Sequence, residues 1–145
     1  MIQDPFASVR PEGGVNVRAA RSEDRERVAR MLAGDASEWS DEDINLVMSR
    51  AQTTLGGPET FKWILPAFLI RSVANPDRGW ITCSSVLADK FDRAGFDTWP
   101  EGQRSATLAM VSDWLDAQAV LFADDPTWLA ADDAELRTWL KARTP

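Results

Sequence analysis

The longest apolar stretch of the chain, PETFKWILPAFLIRSVA from Pro58 to Ala74, carries a proline at its centre. Pro66 lacks the N–H that closes a helical turn, and its ring crowds the carbonyl four residues back, at about 3 kcal/mol inside a helix. As the first residue of a new helix the same proline costs almost nothing. Both halves read as helix, with Pro58 at the first helical position, Glu59 behind it and Asn75-Pro76 as a stop. The sequence therefore predicts a sharp kink or a helix–helix corner at Leu65-Pro66, giving a Pro-kinked central helical hairpin. Ile64, Leu65, Ala67, Phe68, Leu69, Ile70 and Val73 lie nearly all round the second half, which predicts a buried central element.

Helix punctuation recurs along the rest of the chain. Ser22 precedes EDRERVARMLAG, with acids in the first turn, an apolar stripe at Val28, Met31 and Leu32, and Gly34 past the end. Ser40 caps DEDINLVMSRAQ, whose Ile44, Val47, Met48 and Ala51 share a face. SSVLADKFDRAG reads as a short helix ending near Gly95. A long helix follows from about Pro100, with Leu108, Val111, Leu115 and Phe122 at helical spacing. Asp125-Pro126 opens a short turn through Leu129, and Asp132 or Asp133 caps AELRTWLKAR, which carries Leu136, Trp139 and Leu140 on one side. Val15–Arg18 is the only alternating segment and is too short to require a sheet. The expected fold is all-α: a single compact multi-helix domain over 21–145, preceded by an extended N-terminal arm over 1–20 with Pro5, Pro11, Gly13 and Gly14.

Composition limits what such a domain does. A chain of 145 residues, 44% hydrophobic, is long enough for one real core. The formal charge of −7 falls mostly after Val73 and repels phosphate backbones, so no nucleic-acid partner is expected; a basic protein is the favoured kind of partner. No apolar run approaches the roughly 20 residues of a membrane helix, and MIQDPFASVRPEGG lacks the basic and apolar regions of a secretory signal. The lone cysteine, Cys83, fits a reducing compartment, and a cytoplasmic location is expected.

The proline segment also carries a resemblance. Phe61, Lys62, Trp63, Leu65, Pro66, Ala67, Phe68 and Leu69 form an aromatic-basic-aromatic run leading into Leu-Pro-Ala-aromatic-Leu. Phe96 followed by Gln103-Arg104 at the head of a long helix, and the opening DPFASVRPEGG, accompany it. In these features the chain resembles an uncharacterised bacterial family of small helical proteins, a domain of unknown function. It departs from that pattern in Trp63 and Phe68, where tyrosine is common, and in Gly102. The resemblance implies a small helical fold and no particular activity.

Catalytic chemistry has little to work with. The chain has no histidine, which removes Ser-His and Cys-His nucleophile pairs and the common zinc sites. Cys83 reads as a small buried hydrophobe unless it stands at a helix N-terminus, where a thiol is activated. The acid groups Asp41-Glu42-Asp43, Asp124-Asp125 and Asp132-Asp133 stand at expected helix starts, where carboxylates accept backbone N–H bonds; neither a metal nor a cofactor is expected there. The doublets Gly13-Gly14 and Gly56-Gly57 read as turns, with no phosphate loop around them.

Trp39, Trp99, Trp128 and Trp139 differ from the other aromatics in being flanked by charge. Trp is enriched at binding hot spots, although each ring also suits a helix end stapled to the core. The reading that joins these features is a non-catalytic protein-binding domain, most concretely an acidic immunity-type protein that neutralises a cognate bacterial toxin. Its expected contact residues are Trp39, Asp41, Glu42, Asp43, Asp124, Asp125, Trp128, Asp132 and Asp133. The alternative is a structural or regulatory helical subunit closing a homodimer or hetero-oligomer. An enzyme would have to use carboxylates and arginines alone, with Asp113 or Asp116 beside Arg104.

Overall fold

The computed structural model describes residues 22–34, 38–50, 58–76, 80–121, 123–124 and 126–144. The arm expected over 1–20, the Val15–Arg18 segment, Gly56-Gly57 and Phe122 lie outside the described residues. Within them the fold is all-α: α1 (Ser22–Ala33), α2 (Asp41–Arg50), α3 (Pro58–Ala74), α4 (Ser84–Arg93), α5 (Glu101–Leu121) and α6 (Pro126–Arg143), with a 3-10 turn at Phe96–Thr98 before α5.

Several ends follow their sequence signals. Ser40 Oγ accepts the backbone N–H of Asp43 at 3.2 Å, which caps α2 as expected. Gly95 takes the left-handed conformation, φ 65°, just past α4, where its missing side chain removes the usual penalty. The Trp99 indole N–H donates to the Ala94 carbonyl at 3.1 Å and ties the turn back to α4.

Two expected helix starts are absent. Pro66 lies inside one continuous helix of 17 residues and starts no second one, so there is no helix–helix corner. The reason is burial on both sides of the proline: Phe61, Ile64 and Leu65 before it and Phe68 and Leu69 after it are all essentially inaccessible. Each such side chain contributes about 1.5–3 kcal/mol, so together they outweigh the roughly 3 kcal/mol of an interior proline. Likewise Pro126–Arg143 is a single helix, so positions 132 and 133 lie in its interior and not at a helix start. Asp133 uses its carboxylate sideways, accepting from the Ser84 hydroxyl at the start of α4.

The side-chain pairings set the helix directions. Asp41 at the start of α2 meets Arg71 near the end of α3, and Trp39 just before it meets Trp63 in the first half, so the start of α2 sits against the middle of α3. Lys62 lies over Trp99, ahead of α5, and Phe68 meets Trp114 further along it, so α3 and α5 run in the same sense. Ser84 with Asp133 and Phe91 with Trp139 place α4 and α6 in parallel. The core fills the space between these helices. Its densest part is an aromatic cluster in which Phe91 touches Phe61, Phe96 and Trp99 and stacks on Trp139 at 4.3 Å.

α3 is not covered all round. Ile70 is 59% exposed and Val73 37%, so the helix expected to be wholly buried keeps an open apolar side near its C-terminal end.

Candidate functional site

The first acid group serves the fold. Asp43 is buried and holds Arg27 of α1 at 3.0 Å, with Arg30 at 3.8 Å, so it fastens α1 to α2. Asp41 pairs with Arg71, and Glu42 alone of the three is exposed. Trp39 is 7% exposed; its indole N–H donates to the Met31 carbonyl at 3.0 Å and its ring meets Trp63 edge-on at 4.9 Å. It staples the start of α2 onto α1 and is not available as a surface anchor.

The second and third groups divide in the same way. Asp133 is buried between Ser84 and Arg137, the latter at 3.6 Å. Asp124, just beyond α5, is exposed. Asp125 and the side chains of Trp128 and Asp132 lie outside the described residues. α2 packs on α1 and α3 while α6 packs on α4 and α5, and of the expected contact residues Trp39, Asp43 and Asp133 are buried.

The remaining tryptophans with charged flanks are also internal. Trp99 and Trp139 are 6% and 7% exposed. Cations lie over their faces: Lys62 Nζ is 5.0 Å from the Trp99 ring centre, and the Arg143 guanidinium 4.6 Å from that of Trp139. Arg143 also grips Asp97 through two bonds, at 2.9 and 3.0 Å, closing the end of α6 over the 3-10 turn. Desolvation holds the Lys62 ammonium below the usual lysine range, and Glu59 partly opposes this. Cys83 is only half-buried and occupies the N-cap position of α4, with Sγ 3.5 Å from Ser85 Oγ. Arg104 donates to the Asp97 carbonyl at 3.0 Å while Asp113 stands against α3, so the arginine–carboxylate pairing an enzyme would need is not assembled there. Among the described residues no three Cys, Asp or Glu side chains converge as metal ligands, and no helix is long and apolar enough to cross a membrane.

What does stand open is the shelf where α3 meets α5. Leu69, Ile70 and Val73 of α3, with Met110 and Asp113 of α5, line a notch of about 170 Å³. Met110, Ala117 and Leu121 recur at helical spacing along the same side of α5, with Val120 beside them. Val120 is 79% exposed and Leu121 42%, so the apolar strip continues past the end of α3. Its α5 side carries charge of one sign: from Ser105 to Leu121, α5 has Asp113 and Asp116 and no basic residue, and Asp124 follows. The nearest cation on α3, Arg71, is engaged with Asp41 of α2.

Sequence reasoning missed this shelf because it counted Ile70 and Val73 as core and weighed Asp113 only as a catalytic acid. The available signal was the breadth of apolar character round α3, which exceeds what two neighbouring helices cover. The chain matches no protein-family model, and no curated protein or solved structure matches it.

Proposed function

We propose that this protein is a non-catalytic binding domain that docks a basic protein partner on the shelf between α3 and α5. The observation that carries the reading is an open apolar strip whose α5 side, among the described residues, carries acids and no cation. Ile70, Val73, Met110, Val120 and Leu121 offer the apolar contact, and Asp113, Asp116 and Asp124 attract Lys and Arg around it. An amphipathic segment with a basic border fits this pattern, seating an aliphatic or aromatic side chain in the notch beside Asp113. In its most concrete form the partner is a bacterial toxin, with the acids engaging cations around the toxin's active site as an immunity-type protein does.

The same strip is a poor surface for a second copy of this chain. A symmetric contact would bring Asp113 and Asp116 against their own counterparts, in a protein of net charge −7. The homodimer reading is therefore the less favoured one, and sedimentation of the purified protein as a monomer at low and high salt supports heterologous docking.

Titrating the purified product of the adjacent gene into the protein tests the proposal. The expected result is a complex whose association slows as salt rises. A complex indifferent to salt, or one in which Asp113→Lys binds as well as the wild type, overturns it.

A further inference from the structure

The opposite side of α5 carries a second opening of different character. Between α5 and α6 lies a groove of about 640 Å³, within the usual range of small-molecule sites. Leu108 and Leu140, both half-buried, form its floor, and Ser105 and Ser112 stand along the α5 wall. Arg137 and Lys141, four residues apart on α6, form the facing wall. Two cations thus share an apolar-floored groove in a chain that is otherwise strongly acidic.

Both cations have hydrogen-bonding capacity to spare. Arg137 is held from behind by the buried Asp133 carboxylate at 3.6 Å, beyond hydrogen-bond length, and Asp133 Oδ2 has no hydrogen-bond partner. That loose tie orients the guanidinium and leaves N–H donors for a ligand. Lys141 enters no ion pair among the described residues. Glu101 and Asp116 share the α5 face one turn beyond Ser105 and Ser112, so acids stand outside both ends of the groove.

We propose that this groove binds a small carboxylic acid with an unbranched apolar chain. The carboxylate would accept from Arg137 and Lys141, with a serine hydroxyl beside them, and the chain would lie on Leu108 and Leu140. Ser105 and Ser112 are seven residues apart on a helix, about 10 Å, which suits a chain of about eight carbons. The acids beyond the ends disfavour a ligand charged at both termini. The groove shares no lining residue with the shelf, although Asp116 borders both: Ser105, Leu108 and Ser112 lie across α5 from Met110, Ala117 and Leu121.

Octanoate titrated into the isotope-labelled full chain tests the assignment by NMR. The Leu108 and Leu140 methyl resonances and the Ser112 amide should shift together and saturate. Lys141→Glu, at an exposed position, should weaken binding at least about tenfold, and Ala109→Trp, which fills the groove without changing charge, should abolish it. Octylamine, with the same chain and the opposite charge, should leave those resonances in place. Octylamine binding as well as octanoate, groove resonances unmoved by octanoate, or wild-type affinity in a folded Lys141→Glu protein would each overturn the proposal.

Discussion

The aromatic cluster around Phe91 and the shelf around Ile70 are built on opposite halves of the same helix, and they have opposite fates. In the first half of α3, Phe61 is closed in by Phe91 and Trp99, and these by Phe96 and Trp139. In the second half one side packs through Phe68 and Leu69 onto the core, while Ile70 and Val73 face outward. The second half is the more apolar in composition, with six hydrophobic residues of nine against four of eight in the first. The difference is what lies alongside: Phe91 of α4 and Trp99 close over Phe61 in the first half, whereas Ile70 and Val73 border an open notch shared with Met110 and Asp113 of α5. Apolar character in a helix therefore specifies a need for cover, and the fold meets that need at one end only.

The sharpest way to break this comparison is to cut into the closed half. Phe91→Ala removes a ring that touches four other aromatics and should cost about 3–5 kcal/mol in urea unfolding. The same truncation at Ile70 should stay within about 0.5 kcal/mol. Equal losses at the two positions would mean that the shelf is core.

Ser84→Ala should come next in size. It leaves the buried Asp133 carboxylate without its hydroxyl donor, and the loss should be about 1–3 kcal/mol in the same assay. Pro66→Ala sharpens the comparison from the other direction. Because α3 is continuous through Pro66, restoring an N–H should stabilise the protein by about 1 kcal/mol, net of proline's advantage in the unfolded chain. A loss instead would show that the helix needs the local shape the proline imposes.

The smallest effect is set by Lys90 on α4, which is 6% exposed. Desolvation holds its ammonium below the ordinary value of 10.5, opposed by Asp89 and helped by Arg93. Between that lowered value and 10.5 the unfolded chain binds more protons, so stability rises with pH across this window. Lys90→Met should remove the rise, seen as a shrinking advantage of the variant over the wild type as thermal midpoints are taken upward from pH 8.

Much of the architecture was legible in the sequence. The Ser40 cap, the Gly95 stop and the stripes at Val28, Met31, Ile44, Val47, Val111 and Leu115 are local signals, set by cap chemistry and helical period. The errors came where tertiary packing overruled a local rule. Pro66 reads as a break, yet burial of its neighbours holds the helix together. Asp133 reads as a cap, yet Ser84 draws it into the interior. Trp39, Trp99 and Trp139 read as candidate anchors because their sequence neighbours are charged. Trp39 and Trp99 instead donate their indole N–H groups to the carbonyls of Met31 and Ala94, and Lys62 and Arg143 lie over the Trp99 and Trp139 rings. The shelf was the least legible feature: the apolar breadth of α3 stands in the sequence, but which side of it goes uncovered depends on where the other helices lie.

The most direct test joins stability and binding in one variant. Ile70→Glu places a carboxylate in the middle of the shelf, and both its unfolding free energy and its affinity for the adjacent gene's product would be measured. The account expects stability within about 0.5 kcal/mol of wild type and affinity reduced at least about 30-fold, as for a central interface residue. Loss of several kcal/mol of stability, or an unchanged affinity in a stably folded variant, would contradict it.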